Sequence, residues 1–321
     1  MTLRGDLEVD RQMSQLEDAL GDLGLGKFDD RSLKSLTTYK VGGNASCIIR
    51  IDKDQDLIAL SQLMSVVQDE FLVVGNGSNL LVADGELPLL ALVLGDEYKR
   101  VEVGEGEVRA GASISLPILS RQVAAKGHLG LEWAVGVPGT VGGAVKMNAG
   151  GHGSQMADSL AEARVFDLKS GHFMTRGLNE LGFGYRRSNI ANHEVVVGAK
   201  LLSNGIDDPS VIKDRLSQIV TWRRENQPGG QNAGSVFVNP PEDSAGRLIE
   251  AAGCKGMRIG GAEVSPKHAN FIQADRYAKA SDVLSLMARV RDLVYSKFGI
   301  RLFTEIKLVG FADTYGLPSA S

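Results

Sequence analysis

The stretch NAGSVFVNPP, Asn232 to Pro241, sets one hydroxyl, Ser235, among small residues just ahead of an Asn-Pro-Pro corner. With no base beside it in sequence the serine is a weak nucleophile. It either punctuates a turn or gives a proton away. Two glycine-rich runs carry the other chemistry. VVGNGSNLLV puts Gly75 and Gly77, with Asn76, Ser78 and Asn79, directly after an apolar strand, where glycine lets main-chain N–H groups converge on anionic oxygens. A diphosphate is the natural guest, and a plain strand-turn-strand corner is the alternative. Leu80 takes the third glycine position of a dinucleotide fingerprint, and LLVADG reads as a strand and not a helix, so the run is no Rossmann motif. GVPGTVGGAVKMNAGG supplies Gly136, Gly139, Gly142, Gly143, Gly150 and Gly151, with Pro138, Thr140 and Asn148 among them. That pattern suits a flat ring with a polar edge and a phosphate chain. A mobile surface loop would instead expose Val137, Val141, Val145 and Met147. Two such runs imply one extended cofactor lying between them.

The elements that must hold these residues are of mixed type. SCIIRI (strand), DQDLIALSQLMSVVQ (helix), FLVVGNGSNLLVA (strand, loop, strand) and LLALVLG (strand) make an α/β lobe over residues 26–95. KRVEVGEGEVRAGA reads as a hairpin and LPILSRQVAAKG as a helix; the glycine-rich loop over 133–153 follows, and strands AEARVFDL and VVVGAKLL close a second lobe over 96–205. After the turn-rich SNGIDDPS, the helix VIKDRLSQIVTWRRE opens a third region over 206–311, which holds Ser235, the helices SAGRLIEAAG and ASDVLSLMARVRDLVYSKFG, and the strands ANFIQA and RLFTEIKLVG. Residues 1–25 read as a peripheral helix or arm and 312–321 as a flexible tail.

Composition narrows the class. The chain has 321 residues, a formal charge of -4 and no basic run longer than two residues, which argues against nucleic-acid binding. Two cysteines, Cys47 and Cys254, make no disulfide framework and suit a reducing cytoplasm. No apolar run reaches membrane-spanning length, so no membrane insertion is expected. The five histidines, His268 included, never pair at ligand spacing, and no metal is expected.

Taken in order, TTYKVGGNA, GNGSNLLV, GLEWAVGVPGTVGGAVKMNAG, FGYRRSN, NAGSVFVNP, KGMRIGGAEVSPKHANFI and FTEIKLVG resemble the UDP-N-acetylenolpyruvoylglucosamine reductase family from about Leu36 to Gly310. It resembles the shorter variety, since FGYRRSNIANHEVVVGAKL has no room for an extra tyrosine-bearing loop. The resemblance implies an α+β fold: a two-lobed FAD-binding domain of the vanillyl-alcohol-oxidase (PCMH-type) superfamily with a C-terminal α/β substrate lobe. It implies tightly bound FAD, NADPH as reductant and a UDP-sugar as substrate. The cofactor would lie on Val41, Gly42, Gly75 to Leu80, Gly136 to Thr140, Gly142, Gly143, Asn148 and Gly150. The two nucleotides would use one pocket in turn. Oligomeric state is open, with a monomer expected.

The implied reaction adds hydride to an enolpyruvyl ether and then protonates the neighbouring carbon. The charge so formed must be stabilised. The resemblance makes Arg186, in FGYRRSN, the cation for the substrate carboxylate, Ser235 the acid, and Glu305, in RLFTEIKLV, a carboxyl group that shares the charge if protonated. Read alone, Arg186 is rather a surface arginine in a strand-end turn and Glu305 rather a cross-strand ion-pair partner for a lysine. Tyr185 and Asn239 match positions that hold substrate, and Arg224, Lys267 and His268 are looser diphosphate or sugar contacts. Val238 stands where the family usually has lysine. An FAD-dependent oxidase, or a sensor without catalysis, would keep both glycine runs but need neither Ser235 nor Glu305.

Overall fold

A computed structural model describes residues 18–63 and 70–318. The first sheet has the order β1-β2-β5-β3, from β1 (Gly26–Lys27), β2 (Asn44–Ile51), β3 (Glu70–Val73) and β5 (Glu86–Leu94). Central β5 runs parallel to both β2 and β3. Its unbroken apolar run has Leu89, Leu90, Ala91 and Leu92 all buried, the signature of a strand covered on both faces. Helix α1 (Asp54–Leu63) joins β2 to β3; the last residues of the expected helix, 64–68, lie outside the described residues. The N-terminal arm is described only from residue 18, where Leu20 and Leu25 join the cluster around Cys47 and Ile49.

The second sheet is antiparallel, of order β11-β10-β12-β7-β6. It comprises β6 (Val101–Val103), β7 (Glu107–Gly111), β10 (Leu160–Asp167), β11 (His172–Gly177) and β12 (Glu194–Leu202). Strand β11 was not foreseen, because its burial is only partial and HFMTRG shows no apolar alternation. Phe166, Leu168, Val195 and Val197 of this sheet share a cluster with Cys47, Ile49 and Leu92 of the first, so the two sheets are packed together. In the chain, α2 (Leu116–Ala124) and α3 (Val141–Met147), then the short pair β8 (Gly150–Gly151) and β9 (Ser154–Gln155), come between β7 and β10. Helix α3 corrects the expectation of a continuous loop over 133–153. Thr140 caps it by accepting from Gly143 N at 3.3 Å, and buried Val141, Ala144 and Val145 hold its inner face. Tertiary packing here outweighs the poor helix propensity of two glycines.

Helix α4 (Pro209–Asn226) follows, and its Ile212 and Leu216 cluster with Ala124 and Val135 of the second lobe. The C-terminal part contains α5 (Ala245–Ala251), the sheet β13-β14-β15 (Arg258–Ile259, Ala262–Val264, Ile272–Ala274) and α6 (Ala280–Phe298). Helix α6 buries Val283, Leu286, Met287, Val290 and Val294, the one-face periodicity of an amphipathic helix. The chain is therefore of α+β class.

Two contacts weld this part to the first lobe. Strand β16 (Lys307–Val309) leaves its neighbours to run parallel to β4 (Leu80–Val82), with Lys307 opposite Leu80. Asp84, just past β4, accepts from Ala280 N and Ser281 N at 2.9 and 3.0 Å, so an aspartate of one lobe caps a helix of another. The long strand expected over 301–310 is thus reduced to Lys307–Val309, and its residues alternate with period two: Leu302, Thr304 and Ile306 are buried, while Phe303 and Lys307 are exposed. Within the expected tail, residues as far as Pro318 make contacts with the C-terminal part. Leu317 is buried, Pro318 O accepts from Thr304 N at 2.9 Å, and Tyr315 O accepts from Arg291 at 2.7 Å; residues 319–321 lie outside the described residues.

Asp84→Ala removes both bonds that Asp84 makes to the start of α6 and leaves the bond of Lys279 N to Asp282 in place. Loss of a helix cap costs about 1 kcal/mol, and denaturant unfolding checks that expectation; an unchanged midpoint would show that the cap carries no load between the lobes.

Candidate active site

The glycine runs do meet. A Cβ on Gly75 would lie 2.5 Å from Thr140 Oγ1, and one on Gly139 would lie 3.2 Å from Ser78 Oγ, so the two loops pack directly on each other. Gly77 has φ +58, and a Cβ there would lie 2.1 Å from Leu36 O. These glycines are needed for close approach of protein to protein as much as for a ligand. Together the loops line a cavity of about 720 Å³ that extends from Phe71 and Val93 at one end to Ser235, Phe271 and Glu305 at the other. Among the described residues, the main-chain N–H groups of Gly75 to Asn79 donate to no protein acceptor. Consecutive free amides on a cavity wall form an anion nest. Nest and volume fit a dinucleotide.

The chemistry end is assembled across the fold. Glu305 N donates to Val236 O at 2.8 Å and Val238 N to Phe303 O at 2.9 Å, with Phe237 bridged to Thr304. This pairing sets the Ser235 segment beside Glu305. Buried Asn270 locks it from behind, its side chain accepting from Phe237 N at 3.0 Å and donating to Phe237 O at 2.7 Å. The Ser235 hydroxyl has no protein hydrogen-bond partner among the described residues, and it lines the cavity. Asn79 Nδ2 donates to Glu305 O at 3.4 Å and Lys307 N to Asn79 O at 2.9 Å, tying the carboxylate strand to the amide nest.

Arg186 reaches this strand from the second lobe. Its Nε donates to Glu305 Oε1 at 2.7 Å and its Nη2 to Gly150 O at 3.1 Å. Both side chains are largely buried, at 25% and 13% exposed. Arg186 sits in a tight turn with φ 54, a conformation uncommon for a residue with a side chain. Burial pushes the Glu305 carboxyl upward, opposed by the charge and hydrogen bond of Arg186, and the net direction is up.

Cofactor candidates Gly75, Asn76, Gly77, Ser78, Asn79, Leu80, Gly136, Val137, Pro138, Gly139, Thr140, Gly142, Gly143 and Gly150 all line the cavity. Val41, Gly42 and Asn148 stand behind it. Val41 is buried in the C-terminal core and Gly42 packs on Val82, while Thr38 N donates to Gly77 O at 3.2 Å; TTYKVGG braces the first loop from outside. Asn148 is 2% exposed. Its amide nitrogen donates to Gln155 Oε1 and Gly184 O, and its Oδ1 accepts from Ala157 N. That side chain fastens the second glycine run to the turn that carries Arg186.

The substrate candidates lie off the cavity wall. Tyr185 is exposed with Arg186 over its ring at 5.2 Å. Asn239 Oδ1 accepts from Ala245 N at 3.0 Å, at the start of α5. Lys267 donates to the Arg224 carbonyl, and His268 packs edge-on against Phe271, which does line the cavity. Arg224 is exposed. Its neighbour Arg223 lines the cavity instead, donating to Gly136 O and to Gln227 Oε1, because successive helix residues turn by about 100°. Lys146, Lys307, Trp222 and Arg223 are cavity residues that the reading of the sequence missed. No group of three or more His, Cys, Asp or Glu that could hold a metal exists among the described residues, and no described helix is long and apolar enough to cross a membrane.

Comparison with known proteins agrees with this geometry. Residues 45–176 match the FAD binding domain family, and residues 226–309 match the C-terminal domain of UDP-N-acetylenolpyruvoylglucosamine reductase. The chain is 42% identical to UDP-N-acetylenolpyruvoylglucosamine reductase 2 of Symbiobacterium thermophilum, over 87% of this chain and 90% of that one. It is 38% identical to the reductase of Rubrobacter xylanophilus, over 88% and 95%. The crystal structure of the reductase from Thermus caldophilus superposes with a TM-score of 0.77 at 35% identity, covering 89% of this chain and 98% of that one. On this similarity along nearly the whole of both partners, the chain belongs to the UDP-N-acetylenolpyruvoylglucosamine reductase family.

Proposed function

We propose that the chain reduces UDP-N-acetylglucosamine enolpyruvate to UDP-N-acetylmuramate for peptidoglycan precursor synthesis in the cytoplasm, with FAD as cofactor and NADPH as reductant. The observation that carries this reading is the convergence of Ser235, Glu305 and Arg186 on one end of a cavity walled by the FAD-binding fold. When bound, FAD supplies the hydride chemistry, taking hydride from NADPH and giving it to the enolpyruvyl double bond.

The chain's own residues handle the charge. Arg186 offers its planar fork to the substrate carboxylate, in competition with Glu305. Its guanidinium also favours the alkoxide left when Ser235 gives its proton to the neighbouring carbon. A serine is a weak acid, and a carbon bearing negative charge next to a carboxylate is basic enough to take that proton when the hydroxyl is held within hydrogen-bond reach. Because the Ser235 hydroxyl is tied to no protein group among the described residues, it is available to turn toward such a carbon. Glu305, displaced from Arg186 and protonated, donates a hydrogen bond to the substrate carboxylate and spreads the charge. Reductant and sugar nucleotide take the cavity in turn.

Anaerobic reduction by NADPH should bleach a bound flavin spectrum, and UDP-N-acetylglucosamine enolpyruvate should restore it. Rapid recovery in air without that substrate would favour an oxidase, and absence of bleaching a sensor. Ser235→Ala should leave reduction by NADPH nearly intact and slow the second half-reaction by about 10²- to 10⁴-fold, the usual worth of an oriented acid; equal damage to both halves contradicts the role. The pH dependence has a definite sign. A native carboxyl raised above its unfolded value adds most stability below the ordinary carboxylate range and loses it as pH rises through the raised value. Its protonated share falls in the same window. With Arg186 taken by the substrate carboxylate the Glu305 carboxyl rises further, so the second half-reaction should decline only as pH rises through that higher value, and Glu305→Gln should remove that limb; a limb unchanged in Glu305→Gln assigns it to another group.

A further inference from the structure

Lys146 is a second kind of cavity residue, outside the Ser235, Arg186 and Glu305 cluster. It lies near the end of α3, half-buried, and its ammonium donates to Ile190 O. No carboxylate lies within ion-pair distance of it among the described residues. Glu194, an acid whose charge acts on it, is already committed, pairing with Arg176 and accepting from Ala191 N at 2.6 Å. Lys307 of β16 adds like charge to its surroundings. Lys307 N is bonded to Asn79 O, so β16 starts beside the amide nest, and both lysines line the same cavity as Gly75 to Asn79. A half-buried cation with a cationic neighbour and no counter-ion is costly. An anion on the nest would relieve that cost.

We propose that Lys146 is an electrostatic anchor for the diphosphate of the cofactor, supplying from the second lobe the counter-charge to the anion that the first lobe holds by its backbone amides. The inference rests on the FAD reading of the cavity. Burial and Lys307 together bring the Lys146 ammonium down to about 8, against the pull of Glu194, so its charge is present at neutral pH and is lost on moving to pH 9. The other charged groups on the cavity wall are Arg186, Glu305, Arg223, His152 and Lys99. Of these, Lys99 pairs with Asp96 and Arg186 with Glu305. His152 is shifted downward by burial and by Arg223, which takes its titration away from this window.

The test is cofactor affinity, measured as free FAD after ultrafiltration of wild type, Lys146→Met and Lys146→Arg reconstituted at pH 7 and pH 9, with riboflavin as a probe lacking phosphate. A charge-assisted contact to phosphate is worth about tenfold or more in affinity. Wild type should therefore lose FAD affinity by about that factor between pH 7 and pH 9. Lys146→Met should be weak at both values, Lys146→Arg tight at both, and riboflavin binding the same in all three. Equal FAD affinity of Lys146→Met and wild type at pH 7, or an alkaline loss that persists in Lys146→Arg, overturns the anchor alone. Failure of wild type to bind FAD under any of these conditions overturns the cofactor reading and the anchor with it.

Discussion

The contact between Arg186 and Glu305 is the constraint on which the site depends. The arginine comes from the second lobe, on a turn held in a left-handed conformation; the carboxylate comes from a strand whose continuation is welded to the first lobe by β4 and β16. Their 2.7 Å bond therefore closes all parts of the chain around one cavity. Removing two charges from water is expensive unless geometry and further hydrogen bonds compensate. Here only part of that compensation is present, since Arg186 keeps a second bond to Gly150 O and Glu305 remains pulled toward neutrality. Under the proposed function, a substrate carboxylate takes the place of Glu305 on Arg186.

The glycines do two jobs at once. At Gly75 and Gly139 they let the two loops touch, and over Gly75 to Asn79 they leave a run of amides without protein acceptors among the described residues. Around them, Asn148, Thr38 and Asp84 act as fasteners: each joins a segment that touches the cavity, or leads from it, to one that does not.

What was legible in the sequence follows from what is local. The apolar runs of β2, β5 and β12, the amphipathic α6 and the alternation around Glu305 are encoded by period, and the order of motifs carried Ser235, Arg186 and Glu305 as a set. Helix α3 was hidden because its glycines argue against a helix that only packing on Val141, Ala144 and Val145 makes stable. The choice of Arg223 over Arg224 was hidden because adjacent residues on a helix differ only in phase, which nothing in RREN discloses. Val41, Gly42 and Asn148 belong to motifs that match the family, yet they support the wall from behind; a motif records that a residue is needed and not on which side of the backbone it acts. Lys146 needed the tertiary neighbour Lys307 to become noticeable.

The exchange of partners at Glu305 is open to direct measurement. Calorimetric titration of the oxidised holoenzyme with UDP-N-acetylglucosamine enolpyruvate, repeated in buffers of different ionisation enthalpy near neutral pH, counts the protons taken up on binding. Displacement of the buried Glu305 carboxylate from Arg186 predicts uptake approaching one proton, abolished in Glu305→Gln. Binding with no uptake in the wild type, or with the same uptake in Glu305→Gln, would mean that the ion pair survives substrate binding and does not form the core of the site.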